Sequence, residues 1–237
     1  MTVFDVLLRV QEHDTAVDQL RHRRATLPEL AEVRRIDDEL VSLEATLAEV
    51  GARRDDVARR QKRLEAELAA VEAKITEIEG RLYSGAVTVP RELQAMQAEV
   101  ESLRRRQSSL EDDVLEAMTE REPLDEEVEA LEATRARHDD DAARLRAAVA
   151  EAEVAIDAEM ARERQAREQA VAGVPPEVSR LYEDLRRRLG GVGAARLVNG
   201  RCSGCHLTLP ATELDRIRRE PPEALIRCDQ CGRVLVR

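Results

Sequence analysis

Residues 36–82 read IDDELVSLEATLAEVGARRDDVARRQKRLEAELAAVEAKITEIEGRL. Positions 36, 40, 43, 47, 50, 54, 57, 61, 64, 68, 71, 75, 78 and 82 step alternately by four and three. Twelve of these fourteen positions are apolar, the period of a coiled-coil seam rather than of a strand or a solitary amphipathic helix. The two exceptions are Arg54 and Gln61. At ~1.5 Å of rise per residue, a helix from Glu29 to Leu82 is roughly 80 Å long, more than a small domain encloses.

The alternation restarts at Leu93 and runs through Met96, Val100 and Leu103 as far as Ala152 and Ile156. Between the two runs lies Tyr83-Ser84-Gly85-Ala86-Val87-Thr88-Val89-Pro90, with a flexible glycine and a proline suited to a first helical turn. So short a break predicts an antiparallel hairpin with its tip at 83–90. Leu82 is then expected to face Leu93, with Pro123 of the second helix close to Gly51. Arg54 and Arg121 would sit on the seam in the same stretch. A mid-hairpin bend or soft point is one expectation there; the other is a static stretch whose arginines reach out to neighbouring carboxylates.

Upstream, Pro28 separates off a helix of about residues 3–25, with Val3, Leu7, Val10, Val17 and Leu20 near one face. It is expected to pack on the base of the hairpin, against about residues 147–172. Gly173-Val174-Pro175-Pro176 ends the second helix. The expected organisation is an N-terminal helix in 1–27, a coiled-coil hairpin in 28–172 and a separate module in 177–237.

Composition agrees. Of 237 residues, 37% are charged and only Phe4, Tyr83 and Tyr182 are aromatic, so a large globular core is excluded. Arginine supplies nearly all the basic charge, Lys62 and Lys74 being the only lysines. The cheaper explanation is genome composition. Residues 177–237 hold 12 Arg against 8 acidic residues, a formal +4, and since the whole chain is at −11, residues 1–176 carry −15. Nucleic-acid affinity rests mainly on cationic contacts, so only the C-terminal module would attract a phosphate backbone. One Zn²⁺ bound by four thiolates would lower that +4 by about 2.

All four cysteines lie in that module, as two Cys-x-x-Cys pairs: Cys202 with Cys205, and Cys228 with Cys231. Each such turn offers two thiolates to one ion, and two turns complete a tetrahedron around one structural Zn²⁺. Gly204 inside the first turn and Gly232 after the second suit backbone that needs positive φ or close approach to sulfur. A redox pair would sit beside a βαβ pattern, and neither does. Disulfides would suit an exported chain, whereas Met1-Thr2-Val3-Phe4-Asp5 lacks a basic region followed by an apolar one, and no 18-residue apolar run offers a membrane span. The expected compartment is the cytoplasm, where thiols stay reduced. Four thiolates leave no open position, so the metal is read as structural. His13, His22 and His138 lack ligand-spaced partners, and His206 follows an already complete ligand set.

Around the knuckles, Glu177–Leu189 reads as a short helix and Ala211–Arg219 as one or two helical turns. Ala195–Val198, Leu207–Leu209, Ala224–Arg227 and Val234–Val236 read as β-prone runs making short hairpins. The fold class is therefore mainly α: a long antiparallel coiled-coil hairpin plus a small, β-rich C4 zinc ribbon, whose folding draws on zinc binding.

Three stretches carry a resemblance: Arg91-Glu92-Leu93-Gln94-Ala95-Met96 after the tip, Cys202-Ser203-Gly204-Cys205-His206-Leu207-Thr208-Leu209-Pro210, and Cys228-Asp229-Gln230-Cys231-Gly232-Arg233-Val234-Leu235-Val236. With the hairpin between them, the chain resembles a family of bacterial proteins built from a long helical hairpin and a C-terminal C4-type zinc ribbon. The chain departs from that pattern at Asp229, where proline is usual, and at Val236, where tyrosine is. The resemblance implies non-enzymatic adaptors or chaperone-like proteins, associated with an alternative sigma factor, with flagellar or secretion components, and with RNA.

From the residues, the leading expectation is an interaction protein whose hairpin is a spacer for two recognition ends: the tip, through Tyr83, Val87 and Val89, and the ribbon. The alternative is binding of RNA or DNA by the ribbon through Arg186, Arg187, Arg188, Arg196, Arg201, Arg216, Arg218 and Arg219. An enzyme is disfavoured, because no acid, base and nucleophile cluster appears.

Overall fold

A computed structural model describes residues 2–237. Its elements in order are α1 (Val3–Ala25), α2 (Pro28–Tyr83), α3 (Pro90–Val171), α4 (Pro176–Arg188), β1 (Ala194–Val198), β2 (Arg201–Cys202), α5 (Ala211–Arg219) and β3 (Val234–Val236). Helices α2, α3 and α4 all begin at a proline, which has no N–H to lose in a first turn and a φ already set for the helix. Helix α1 begins differently. The Thr2 hydroxyl accepts from the Asp5 amide at 3.2 Å while the Asp5 carboxylate accepts from the Thr2 amide at 2.8 Å, a reciprocal cap. These contacts hold the Asp5 carboxyl below the usual range.

Contacts divide the chain into two compact units, Val33–Arg144 and a second formed by Met1–Glu32 with Leu145–Arg237. The first is hairpin alone. Nearer the tip, Ile75, Ile78 and Val100 are buried, with Val71, Met96 and Leu103 against them. Further along, Val50, Val57, Ala117, Leu124 and Val128 form a second cluster with Leu47, Leu64 and Leu131. Every one of these residues is a seam position of the sequence pattern.

The register differs from expectation. Arg135 meets Glu44 and Gln107 meets Glu72, so facing positions lie about four residues, roughly one helical turn, beyond the expected pairing. The packing of Ile75 and Ile78 on Val100 and Leu103 sets the alignment, not the half-buried ends at Leu82 and Leu93. Pro123 consequently borders Asp56, Val57 and Arg60 rather than Gly51. Nor does Pro123 interrupt α3, which runs as α-helix from Pro90 to Val171. Both seam arginines are locally neutralised, Arg54 by Asp55 at 2.7 Å and Arg121 by Asp125 at 3.0 Å. Arg121 also donates to the buried Gln61 at 2.9 Å, so one polar seam position of α3 satisfies one of α2. Both arginines thus reach out to neighbouring carboxylates, the contacts that belong to the second of the two expectations.

In the second unit a small sheet, of order β2-β1-β3, separates two cores. Its alternation explains both. Ala194, Val234 and Val236 face a helical core made by Phe4, Leu7, Leu8 and Val10 of α1 with Tyr182 and Leu185 of α4. Ala195 and Leu235, one residue out of phase, face Cys202, Leu209, Ile217, Ile226 and Cys228. A third cluster, Leu27, Ile156 and Met160, closes the turn between α1 and α2 onto α3.

The strands are fewer than expected. β1 and β2 form a hairpin around Asn199-Gly200, both at positive φ, the turn that best matches strand twist. β3, however, pairs parallel to β1, because the chain between them makes a long excursion through α5 and returns in the same direction. Thr208 and Arg227 contribute single bridges in place of the expected strands at 207–209 and 224–227. α5 runs nine residues, longer than one or two turns.

Candidate metal centre

Cys202 ends β2, Cys205 follows in a tight turn, and Cys228 and Cys231 occupy a second turn just before β3. In the first, the His206 amide donates to the Cys202 carbonyl at 2.8 Å; in the second, the Gly232 amide donates to the Cys228 carbonyl at 2.7 Å. The residue after each second cysteine has positive φ, 62° at His206 and 73° at Gly232. Positive φ thus falls on His206 rather than on Gly204. Gly204 is required for space: a Cβ there would lie 2.6 Å from Cδ of Arg233.

The four sulfurs all lie within 4.8 Å of one another, with Cys202 to Cys231 at 3.9 Å and Cys205 to Cys228 at 4.0 Å. A tetrahedral ZnS₄ group with bonds of ~2.3 Å has sulfurs about 3.8 Å apart, so these side chains fit the ion. All four are free thiols. Without metal, burial pushes the Cys228 thiol up to about 12 and raises Cys202. At Cys231 burial also acts upward, but contacts with Arg233 and the neighbouring Cys228 and Cys205 outweigh it and bring the thiol to about 7. Zinc, which needs thiolates, therefore displaces protons from buried sulfur, and its affinity falls in acid.

Arg233 ties this centre to the helices. Its Nε donates to the Val192 carbonyl at 2.9 Å and its Nη2 to the Leu189 carbonyl at 3.0 Å, a cation at the negative end of α4. A second constellation locks the same helices. Asp14 of α1, 5% exposed, accepts from the Tyr182 hydroxyl at 2.8 Å and from Nε of Arg167 at 2.8 Å. Arg167 also pairs with Glu183, and Arg186 with Asp18 at 2.6 Å. Beside it, the Gln11 side chain accepts from the Gly193 amide at 2.7 Å and donates to the Gly191 carbonyl at 3.0 Å. The sequence reading missed this network. Its signal was a carboxylate at position 14 on a stripe otherwise made by Leu7, Val10 and Val17.

The candidate arginines are unequal. Arg186 is committed to the buried network, Arg187 pairs with Asp184, Arg216 lies 3.3 Å from Asp229 and Arg218 3.3 Å from Asp215. Arg188 donates to the Asp184 carbonyl and Arg201 to that of His206. Arg196 and Arg219 are exposed. At the tip, Tyr83 is 82% and Val89 48% exposed, with Val87 half-buried between them. No helix among the described residues is long and apolar enough to cross a membrane.

Residues 10–190 match the CT398-like coiled coil hairpin domain and residues 201–235 the C4-type zinc ribbon domain. The chain belongs to the CT398-like coiled coil hairpin family. Within reach of the family, the chain is 33% identical to the uncharacterized protein Rv2229c of Mycobacterium tuberculosis, over 98% of this chain and 94% of that one. A solved structure from Mycobacterium smegmatis matches with a TM-score of 0.88 and 26% identity, over 99% and 97% of the two chains. The structure of CT398 from Chlamydia trachomatis shares the fold at a TM-score of 0.66 and 19% identity, over 99% and 97%. The C4-type ribbon, with its four sulfurs so placed, is the seat of one structural zinc.

Proposed function

We propose that this chain is a non-enzymatic adaptor or chaperone-like protein of the cytoplasm, which uses the hairpin tip and the zinc ribbon as contact surfaces for protein partners. The observation that carries the reading is the tip. Its backbone is held, not loose: the Ser84 hydroxyl donates to the Arg81 carbonyl at 2.8 Å and accepts from the Ala86 amide at 3.3 Å, while the Val89 carbonyl accepts from Glu92 and Leu93. Yet this ordered turn holds Tyr83 and Val89 out in water, where a plain connection would be polar. A zinc with four thiolate ligands has no position for substrate, which supports a non-enzymatic role.

The alternative, nucleic-acid binding by the ribbon, would draw mainly on Arg196 and Arg219, since the other candidates, Arg201 among them, are engaged by neighbouring carboxylates or carbonyls. It also lacks a stacking platform: Tyr182, the module's one aromatic, is fully buried. Affinity purification of the full chain beside a tip-deleted form and Cys228→Ser tests the adaptor reading. Each altered end should lose its own set of partners with helicity retained. Identical partner sets for all three forms would refute it.

A further inference from the structure

Three arginines touch the two cysteine turns, and they are placed differently. Arg201 donates to the His206 carbonyl at 2.9 Å and Arg227 to the Gly232 carbonyl at 2.9 Å, each closing its turn just after the second cysteine. Both are exposed. Arg233 is half-buried and belongs to neither turn alone. It follows Cys231 and Gly232 in sequence, contacts the Cys231 sulfur, and lays its side chain across Gly204 of the first turn, where a Cβ would lie 2.6 Å from its Cδ and 3.2 Å from its Nε. Its guanidinium then ends on the Val192 and Leu189 carbonyls.

Beyond the guanidinium the contacts continue. Val234, the next residue, donates to the Gly193 carbonyl at 2.9 Å. The Gly193 amide and the Gly191 carbonyl are both bonded to the Gln11 side chain of α1. The loop is also packed hard on α4, since a Cβ at Gly193 would lie 2.7 Å from the Tyr182 carbonyl. One unbroken set of contacts therefore runs from the sulfurs to the buried side of α1. Charge gives a reason for a cation at its head. One Zn²⁺ with four thiolates has a net charge of about −2, and the buried Glu213 carboxylate, which accepts from the Asp229 amide of the second turn at 3.4 Å, is a further acid close by. The last carbonyls of α4 attract the same guanidinium from the other side.

We infer that Arg233 is a positioning residue of the metal centre, which balances the charge of the zinc–thiolate group and couples filling of the site to seating of the 189–193 loop on α1. With zinc bound, Cys231 is fixed and Arg233 with it; a fixed Arg233 keeps in place the loop that Gln11 grips. Linkage makes the coupling reciprocal, so a contact on α1 that touches no sulfur tightens zinc binding.

The test is zinc competition against a chromophoric chelator on the full chain, with amide exchange measured on the same samples. Arg233→Met should weaken zinc binding about tenfold or more and, in the zinc-loaded protein, speed exchange at the Gly191 and Gly193 amides. Arg233→Lys should restore most of the zinc affinity, because the charge returns, but not the slow exchange, because an ammonium lacks the planar fork that meets two carbonyls. With cobalt(II) in place of zinc, Arg233→Met should move the thiolate-to-metal charge-transfer band to longer wavelength, since sulfur without its cation gives up electron density more readily. A residue that merely packed would leave the band in place. Gln11→Ala should weaken zinc binding by a smaller factor, and Arg227→Met should leave exchange at Gly191 and Gly193 unchanged. Wild-type zinc affinity in Arg233→Met, an unmoved cobalt band, or zinc affinity indifferent to Gln11→Ala would overturn the inference. Should Arg233→Met fail to fold, Arg233→Lys and Gln11→Ala decide it.

Discussion

Between Val33 and Arg144 the hairpin rests on a row of aliphatic side chains repeated along its length, with ion pairs such as Arg104–Glu79 outside the seam. The other unit gathers its specificity into a few unlike groups: four thiols, a buried carboxylate, a tyrosine and Arg233 bridging them to a helix end. The hairpin's stability is distributed, and each position is nearly replaceable. That of the other unit is concentrated, and its groups are interdependent.

That contrast can be broken experimentally. Zinc removal by a chelator, or Cys228→Ser, should have the largest effect: structural zinc binding is worth ~10 kcal/mol or more, so the ribbon should unfold, seen as collapsed amide dispersion in residues 194–237, while far-UV circular dichroism keeps most of its helical signal. Next is Asp14→Ala, which leaves the buried Tyr182 hydroxyl without its acceptor and takes from Arg167 the buried one of its two carboxylates. A loss of ~3–5 kcal/mol in denaturant unfolding of this unit is expected. Leu110→Ala on the seam, at a fully buried position, should cost ~3 kcal/mol and lower hairpin stability without touching zinc content.

Alkaline pH acts on the same tyrosine more gently. Burial and then the bond to Asp14 raise Tyr182 well above the usual tyrosine range. The unfolded chain releases its proton near pH 10 and the folded chain holds it, so stability should be full below about pH 10 and decline above it. Tyr182→Phe should flatten that decline in a pH series of melting curves. The smallest effect is expected for Arg104→Ala, whose guanidinium is 64% exposed: below ~1 kcal/mol, and less still in high salt. A larger loss there would mean that the hairpin too depends on particular contacts.

The hairpin was legible from residues 36–82 because a seam writes itself as a period, and burial follows that period through Ile36, Val57, Ile78, Val100, Leu124 and Ile156. Register was less legible. A uniform aliphatic row aligns almost equally well one turn away, and only particular contacts, Ile78 on Val100 or Arg135 on Glu44, decide it. The cysteine ligands were legible for the opposite reason, since metal chemistry restricts residue type and spacing. The parallel pairing of β1 with β3 was not, because nothing in Ala194–Val198 or Val234–Val236 specifies direction. Asp14 left a trace, a single acid on an apolar stripe, that gains meaning only beside Arg167 and Tyr182, more than 150 positions away in sequence.

Phe4 and Val10 share a core with Val234 and Val236. During synthesis, therefore, α1 leaves the ribosome before the hairpin, yet the strand that completes its burial leaves after it. The hairpin between can close as soon as α3 has emerged, since its contacts need nothing made later. Throughout that interval the apolar face of α1 waits uncovered. The slowest and most chaperone-dependent step of this protein's birth is then expected at the docking of α1 on β3, not at the closing of the hairpin.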